Sequence, residues 1–188
     1  MTSRMSLAAL FATLVIAAPV AAQEACKMTQ VGKPLSLADM YKMASEKAKA
    51  WKPDAKLASM GNTTLGLLKP DGTAASWHLI FVSEAANMFV SIDTANGFFT
   101  CYASAGKAGR MPDLKPDFFR DGAALYSMAK QHGEALLAQG YGVMLGTAAA
   151  PGDRHSTWRI NYHKEGAKDG GLHIVIDANT GKLEKVLN

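Results

Sequence analysis

The segment ADMYKMA at positions 38–44 returns in altered form as AALYSMA at positions 123–129, and this repeat decides the predicted fold. In both copies the apolar residues follow helical spacing. Each copy is followed by a tryptophan-bearing apolar run and then by a turn sequence, IDTANG at 92–97 and IDANTG at 176–181. Because helix faces, strand cores and turns recur in the same order, the repeat predicts a duplicated fold rather than a duplicated active site.

Start and stop signals give each half one helix. The first helix is predicted to begin near Ser36, with Asp39 as a short-acid form of the capping box, and the second to run from about Asp121 to just before Gly140. Alternating apolar and turn residues then predict four strands in each half. These strands are residues 56–60, 77–82, 89–92 and 98–102, and residues 141–145, 158–163, 172–176 and 182–187. The predicted fold class is therefore α+β, with two tandem repeats of one helix packed on a four-stranded antiparallel sheet.

Domain boundaries follow from the same pattern. Residues 1–22 have a basic Arg4, an apolar stretch too short to span a bilayer and small residues before Gln23, which is typical of a cleaved secretory signal peptide. The first repeat is predicted over residues 23–104, a glycine- and proline-containing linker over 105–119, and the second repeat over 120–188. We therefore expect a periplasmic or secreted protein with no stable membrane insertion after signal cleavage.

Two cysteines, Cys26 and Cys101, occur in a chain predicted to enter an oxidising compartment. An even count favours one disulfide over free thiols or intermolecular pairing. The bond would join the mature N-terminus to the last strand of the first repeat. A redox role is not indicated, because the two cysteines are far from Cys-x-x-Cys spacing.

The formal charge is +4, with basic and acidic residues interspersed. Nucleic-acid binding proteins carry a dense basic stripe or patch, and this sequence has none. Nucleic acid is therefore not an expected partner.

The first predicted sheet is apolar on both faces, whereas the second alternates apolar with polar residues. An apolar outer face needs a cover, which is either the other repeat or the linker, or else a partner protein or an apolar ligand. The residues expected to make a partner contact are Ile80, Val82, Phe98 and Phe99.

The apolar strand at 172–176, the turn IDANTG and the following KLEKV at 182–186 together resemble the PepSY domain. The first half, with SIDTANGF at 91–98, resembles a degenerate copy of the same unit, so the resemblance is to two tandem PepSY-like repeats. It implies a PepSY/cystatin-like fold and a secreted or envelope-bound, non-catalytic domain that inhibits or modulates proteases.

Metal and catalytic signatures are weak. His163 and His173 are predicted to be cross-strand neighbours, but two ligands without a third make a weak metal site, so no cofactor is expected. The turn at 177–181 lacks the distal Glu of a calcium loop and has its glycine one place early. No serine-nucleophile, His-Glu-x-x-His or activated-cysteine motif is present, and we expect that the protein is not an enzyme.

Two functional hypotheses remain. The first is a binding module that presents a sheet face to another envelope protein, with proteases the class that the resemblance indicates. The alternative is a carrier of a small apolar ligand, with a pocket between helix and sheet around Trp77 and Trp158.

Overall fold

The computed structural model describes residues 29–106, 114–148, 155–167 and 171–188, so the predicted signal peptide at 1–22 and Cys26 lie outside the described residues. The helices are α1 (Leu37–Trp51) and α2 (Gly122–Ala138). The strands are β1 (Thr29–Gln30), β2 (Leu35–Ser36), β3 (Lys56–Asn62), β4 (Thr73–Ala74), β5 (Trp77–Ser83), β6 (Met88–Ala95), β7 (Phe98–Ala105), β8 (Gly142–Ala148), β9 (Thr157–His163), β10 (His173–Asp177) and β11 (Leu183–Leu187).

Both helices begin where the capping residues predicted. The Ser36 hydroxyl accepts the Asp39 backbone N–H at 3.1 Å and donates to the Asp39 carboxylate at 2.8 Å, which satisfies one of the free amides of the first turn of α1. The Asp121 carboxylate accepts the Ala124 N–H at 2.9 Å and caps α2 in the same way. The predicted helix starts are therefore confirmed.

The predicted pair of four-stranded sheets is wrong. The described residues form one nine-stranded antiparallel sheet with the order β1-β7-β6-β5-β3-β8-β9-β10-β11, and β2 and β4 form a separate short ladder. The two strands that directly follow the helices, β3 and β8, pair with each other. Each would otherwise be an edge strand with unpaired N–H and C=O groups, and placing the two strands side by side covers both edges at once. The domain boundaries at 104 and 119 stay predictions, and residues 107–113 of the linker lie outside the described residues.

The pairing of β3 with β8, called the seam below, is held in large part by side chains. Gly61 and Gly146 are its Cα partners. Beside them, the Asn62 side chain accepts the Leu145 N–H at 2.5 Å and donates to the Val143 carbonyl at 3.3 Å. The Thr147 hydroxyl accepts the Met60 N–H at 2.8 Å and donates to its carbonyl at 3.2 Å. Asn62 and Thr147 thus take the place of peptide groups in the ladder.

Both helices lie on one face of the sheet, over a single apolar core. The inward side chains of β5 and β9, which include Trp77 and Trp158, are fully buried and belong to one cluster with residues of both helices. The Tyr41 ring of α1 meets Phe118, which precedes α2, at a centroid distance of 5.0 Å, and Phe118 lies 6.3 Å from Trp158. The protein is therefore a two-layer structure whose core crosses the seam.

Helix α2 is interrupted where it crosses β9. Gly133 has non-helical backbone angles, φ −123° and ψ 28°. A Cβ at this position would lie 2.2 Å from the Tyr162 hydroxyl, so only glycine leaves room for that side chain. The Tyr162 hydroxyl in turn donates to the Ala129 carbonyl at 2.6 Å, the group that the Gly133 N–H would bond in a regular helix. Burial raises the pKa of Tyr162 to about 12, so this donor keeps its proton.

Candidate functional site

The face of the nine-stranded sheet opposite the helices, called the open face below, is not covered by either described helix. Side chains alternate across a strand, so the residues between the buried ones point to this face. They include His78 and Ile80 on β5, Asp93 on β6 and Asn161 on β9, all of which are partly accessible. The open face therefore mixes polar and apolar side chains.

A groove of about 500 Å³ lies on the open face over the seam. Gly61 and Gly146 form its floor, and His78, Met144 and Asn161 are among the side chains of its walls. The groove exists because the two residues paired at the seam have no side chains, while their neighbours across the strands do.

The two floor glycines have different surroundings. A Cβ on Gly61 would lie 2.5 Å from the Leu145 carbonyl oxygen and 3.2 Å from the Gly146 Cα, so glycine is needed there for β3 and β8 to approach. A Cβ on Gly146 would have nothing within 4 Å. Gly146 thus faces the open space of the groove, and a larger side chain there would occupy that space without touching the backbone.

His78, in one wall of the groove, belongs to a cluster of three polar side chains with Ser91 and Asp93, called the His78 cluster. His78 Nδ1 lies 2.5 Å from Asp93 Oδ1 and 3.4 Å from the Ser91 hydroxyl, which donates to Asp93 Oδ2 at 2.6 Å. The hydrogen bond with Asp93 raises the pKa of His78 above its ordinary 6.5, against the opposing effect of burial. Burial raises the pKa of Asp93, but the bonds from His78 and Ser91 outweigh it and hold that pKa below 3.8.

The His78 cluster has the residue types of a serine hydrolase but a different geometry. In a hydrolase the histidine accepts the serine proton through one ring nitrogen while the carboxylate holds the other. Here Ser91 and Asp93 both lie on the Nδ1 side of His78, and the Ser91 hydroxyl donates to the carboxylate. The Ser91 proton is therefore directed away from the imidazole, and the arrangement is suited to holding His78 in one orientation.

Asn161, in the opposite wall, contacts one of the two histidines that were predicted to be cross-strand neighbours. His173 Nδ1 is 2.6 Å from the Asn161 amide oxygen, and Ile174 pairs with Ile160, which places His173 opposite Asn161. His163 instead pairs with Gly142 on β8. His163 and His173 are thus not direct cross-strand partners, because the strand register is two residues away from the one that a symmetric hairpin would give.

The four predicted partner-contact residues are divided between the two faces. Ile80 is half-buried on the open face, and Phe98 is exposed at 42% of its surface. Val82 also points to the open face but is buried, and Phe99 is buried in the core, facing the helices. Ile80 and Phe98 are therefore available to a partner in the described structure, whereas Phe99 is not.

The two tryptophans expected to line a ligand pocket are packed as structural residues. Both are fully buried. The Trp77 indole donates to the Leu35 carbonyl at 2.9 Å and the Trp158 indole to the Phe119 carbonyl at 2.8 Å, so each fixes the chain that enters a helix. The groove over the seam is lined by neither tryptophan.

Cys101, on β7, is disulfide-bonded. Its predicted partner Cys26 lies outside the described residues, so the pairing stays a prediction.

A second cluster was not found from the sequence. His155, Asp177 and Glu184 bring one ligand atom each to within 4.8 Å of one another. The sequence places Asp177 in a hairpin turn in preference to a calcium loop, and the other two residues lie 22 and 7 positions away in the chain with no motif spacing. Only the strand pairing of the folded chain brings them together.

Comparison of the chain with models of protein families, with curated proteins and with solved structures gave no match. The PepSY resemblance therefore rests on the residues quoted for it alone. Within the described residues, neither helix has the length and apolar character needed to cross a bilayer.

Proposed function

We propose that this protein is a non-catalytic periplasmic or secreted binding module that holds an extended segment of another envelope protein in the groove over the seam. One observation carries the proposal: the groove lies on the open face, where no described helix covers it, and the Gly146 position leaves its floor open. A groove of about 500 Å³ is within the usual range of ligand sites.

The walls of the groove favour a polypeptide segment over a purely apolar ligand. Met144 supplies an apolar contact, and the His78 imidazole and Asn161 amide supply polar groups that can pair with a backbone or a polar side chain. A hydrogen bond to Asp93 orients His78, and one to His173 orients Asn161. Less side-chain entropy is therefore lost when a ligand binds. The PepSY resemblance independently indicates a protein partner and names proteases as the class to try first.

The test is a substitution that fills the groove and leaves the fold intact. Gly146→Leu places a side chain where a Cβ meets no atom within 4 Å, and it replaces a glycine in the interior of a strand, where glycine is unfavourable. Tyr102→Ser is the matched control. The Tyr102 side chain is 69% exposed and projects from β7 on the same face of the sheet, but it does not line the groove.

Peptides would be selected from a displayed random library on the wild-type mature chain and their affinities measured by calorimetry. We expect binding to fall at least about tenfold in Gly146→Leu, since a few blocked contacts cost more than 1.4 kcal/mol, and to be unchanged in Tyr102→Ser. Equal binding by Gly146→Leu, with an unchanged melting temperature, would contradict the proposal.

A second measurement separates this proposal from the carrier alternative. A panel of fatty acids and other apolar ligands would be titrated while tryptophan emission is followed. A saturable one-to-one shift that persists in Gly146→Leu would favour a pocket near the buried tryptophans and would count against the groove.

A further inference from the structure

His155, Asp177 and Glu184, called the His155 cluster, come from three separate elements. His155 lies two residues before β9, Asp177 ends β10 and Glu184 lies in β11. The register between β10 and β11 shifts between Val175 and Ile176, and this irregularity falls beside Glu184. The three side chains are 38%, 25% and 28% exposed, so an ion from solvent can reach them.

The Asp177 carboxylate is held in place by the turn that follows it. Its Oδ1 accepts the backbone N–H groups of Asn179 and Thr180, both at 2.8 Å. Its Oδ2 is directed to His155 and lies 3.9 Å from Nε2. Burial raises the pKa of Asp177, but those backbone bonds outweigh it and the pKa stays below 3.8, so the group is ionised at neutral pH.

Glu184 completes the arrangement from the other side, because its Oε1 contacts the same His155 Nε2. One imidazole nitrogen and two carboxylate oxygens thus converge, with all three ligand atoms within 4.8 Å of one another. Ligands that lie about 2.0–2.2 Å from a zinc ion are about 3.4 Å from one another. To surround one ion, His155 Nε2 and Asp177 Oδ2, now 3.9 Å apart, would come slightly closer, and the contacting atoms of His155 and Glu184 would move apart.

We propose that His155, Asp177 and Glu184 form a binding site for a divalent transition-metal ion of the zinc class. The imidazole nitrogen disfavours calcium and magnesium, which prefer all-oxygen sites, and favours zinc, nickel or copper. Two carboxylates balance the ion's charge. Three protein ligands leave at least one coordination position for water or for a group of a partner. Bound metal would also fasten β11 to the segment before β9.

The proposal is independent of the groove, and its test uses the purified mature chain without a partner. Zinc would be titrated by calorimetry, and cobalt absorption would report the coordination directly. The wild type is expected to bind one equivalent. His155→Gln and Glu184→Gln are expected to lose at least about 100-fold in affinity, since even outer-shell changes at metal sites cost about 10–100-fold.

Two controls locate the ion. His163→Gln removes a histidine that is outside the cluster, and Glu134→Gln removes an exposed carboxylate of α2; both should bind zinc as the wild type does. Zinc should also raise the melting temperature of the wild type but not of His155→Gln. The proposal is overturned by a wild type that does not bind, by undiminished binding in both cluster variants, or by binding that is lost in His163→Gln.

Discussion

The two paired glycines of the seam allow a sharp test of how the sheet is joined. Gly61 and Gly146 face each other in the ladder, have the same residue type and lie in strand interiors. Alanine at 61 would place its Cβ 2.5 Å from the Leu145 carbonyl oxygen, whereas alanine at 146 would meet nothing within 4 Å. The same substitution on two opposed residues should therefore change stability in opposite directions.

The magnitudes follow from these surroundings. An inserted methyl in a filled site typically costs about 1–3 kcal/mol, and the upper part of that range applies to Gly61 because the obstacle is backbone that no side-chain rotation can move. Replacing glycine also removes about 0.4–1 kcal/mol of unfolded-state entropy, a gain shared by both variants. Gly61→Ala should thus lose about 2 kcal/mol in unfolding free energy and Gly146→Ala gain about 0.5 kcal/mol.

The assay is urea unfolding followed by tryptophan emission, with thermal melts beside it. Trp77 and Trp158 are fully buried on opposite sides of the seam, so their emission reports both halves. A difference of about 2.5 kcal/mol separates the melting temperatures by about 5–10 °C in a chain of this size. Equal stabilities for the two alanine variants would refute the claim that β3 and β8 pair through a glycine contact.

Three further predictions concern single side chains. Tyr162→Phe leaves the buried Ala129 carbonyl without its donor and should lower the unfolding free energy by about 1–2 kcal/mol in urea titrations, with little change in helix content by circular dichroism. Asn62→Ala removes two hydrogen bonds across the seam and one to the Gly66 carbonyl, and it should cost about 2–4 kcal/mol; a loss below that of Tyr162→Phe would contradict the role given to Asn62. His78 has a raised pKa and Asp93 a lowered one, so their pairing stabilises the fold most between pH values of 3.8 and 6.5 and is lost as pH rises through the pKa of His78. Asp93→Asn should therefore destabilise by up to about 1 kcal/mol near pH 5 and by less above about pH 8, and a pH-independent difference would count against the pair.

The sequence predicted local structure well because local signals determine it. Ser36 and Asp121 marked the helix starts, and the predicted strand at residues 77–82 lies within β5. Local signals do not determine which strands pair across the two halves. Periodicity in β3 and β8 tells which face each strand buries, not which neighbour it takes, so both were expected to end separate sheets. One local feature shared by the two strands is a glycine, Gly61 in β3 and Gly146 in β8. Each glycine comes just before the residue that pairs with a tryptophan of the next strand.

The candidate sites show the same limit. His163 and His173 were matched by assuming a symmetric hairpin, yet the register that the chain adopts places Asn161 opposite His173. The His155 cluster depends on a register irregularity in β11, and no residue type in that strand predicts it. Predicting a site that is built across strands requires the strand register to the exact residue. Patterns of apolar and polar residues fix that register only to within a two-residue step.

The seam connects stability and the proposed binding because, of its two paired glycines, one lets β3 and β8 approach and the other leaves the groove open. Gly61 serves the first requirement, since its Cβ would collide with backbone, and Gly146 serves the second, since its Cβ would project into empty space. If the groove had no ligand, a side chain at 146 would stabilise the strand at no structural cost. The glycine at 146 costs stability and leaves the groove open, and functional sites commonly contain such locally unfavourable residues. A side chain at position 146 should therefore raise the unfolding free energy and at the same time weaken the proposed binding.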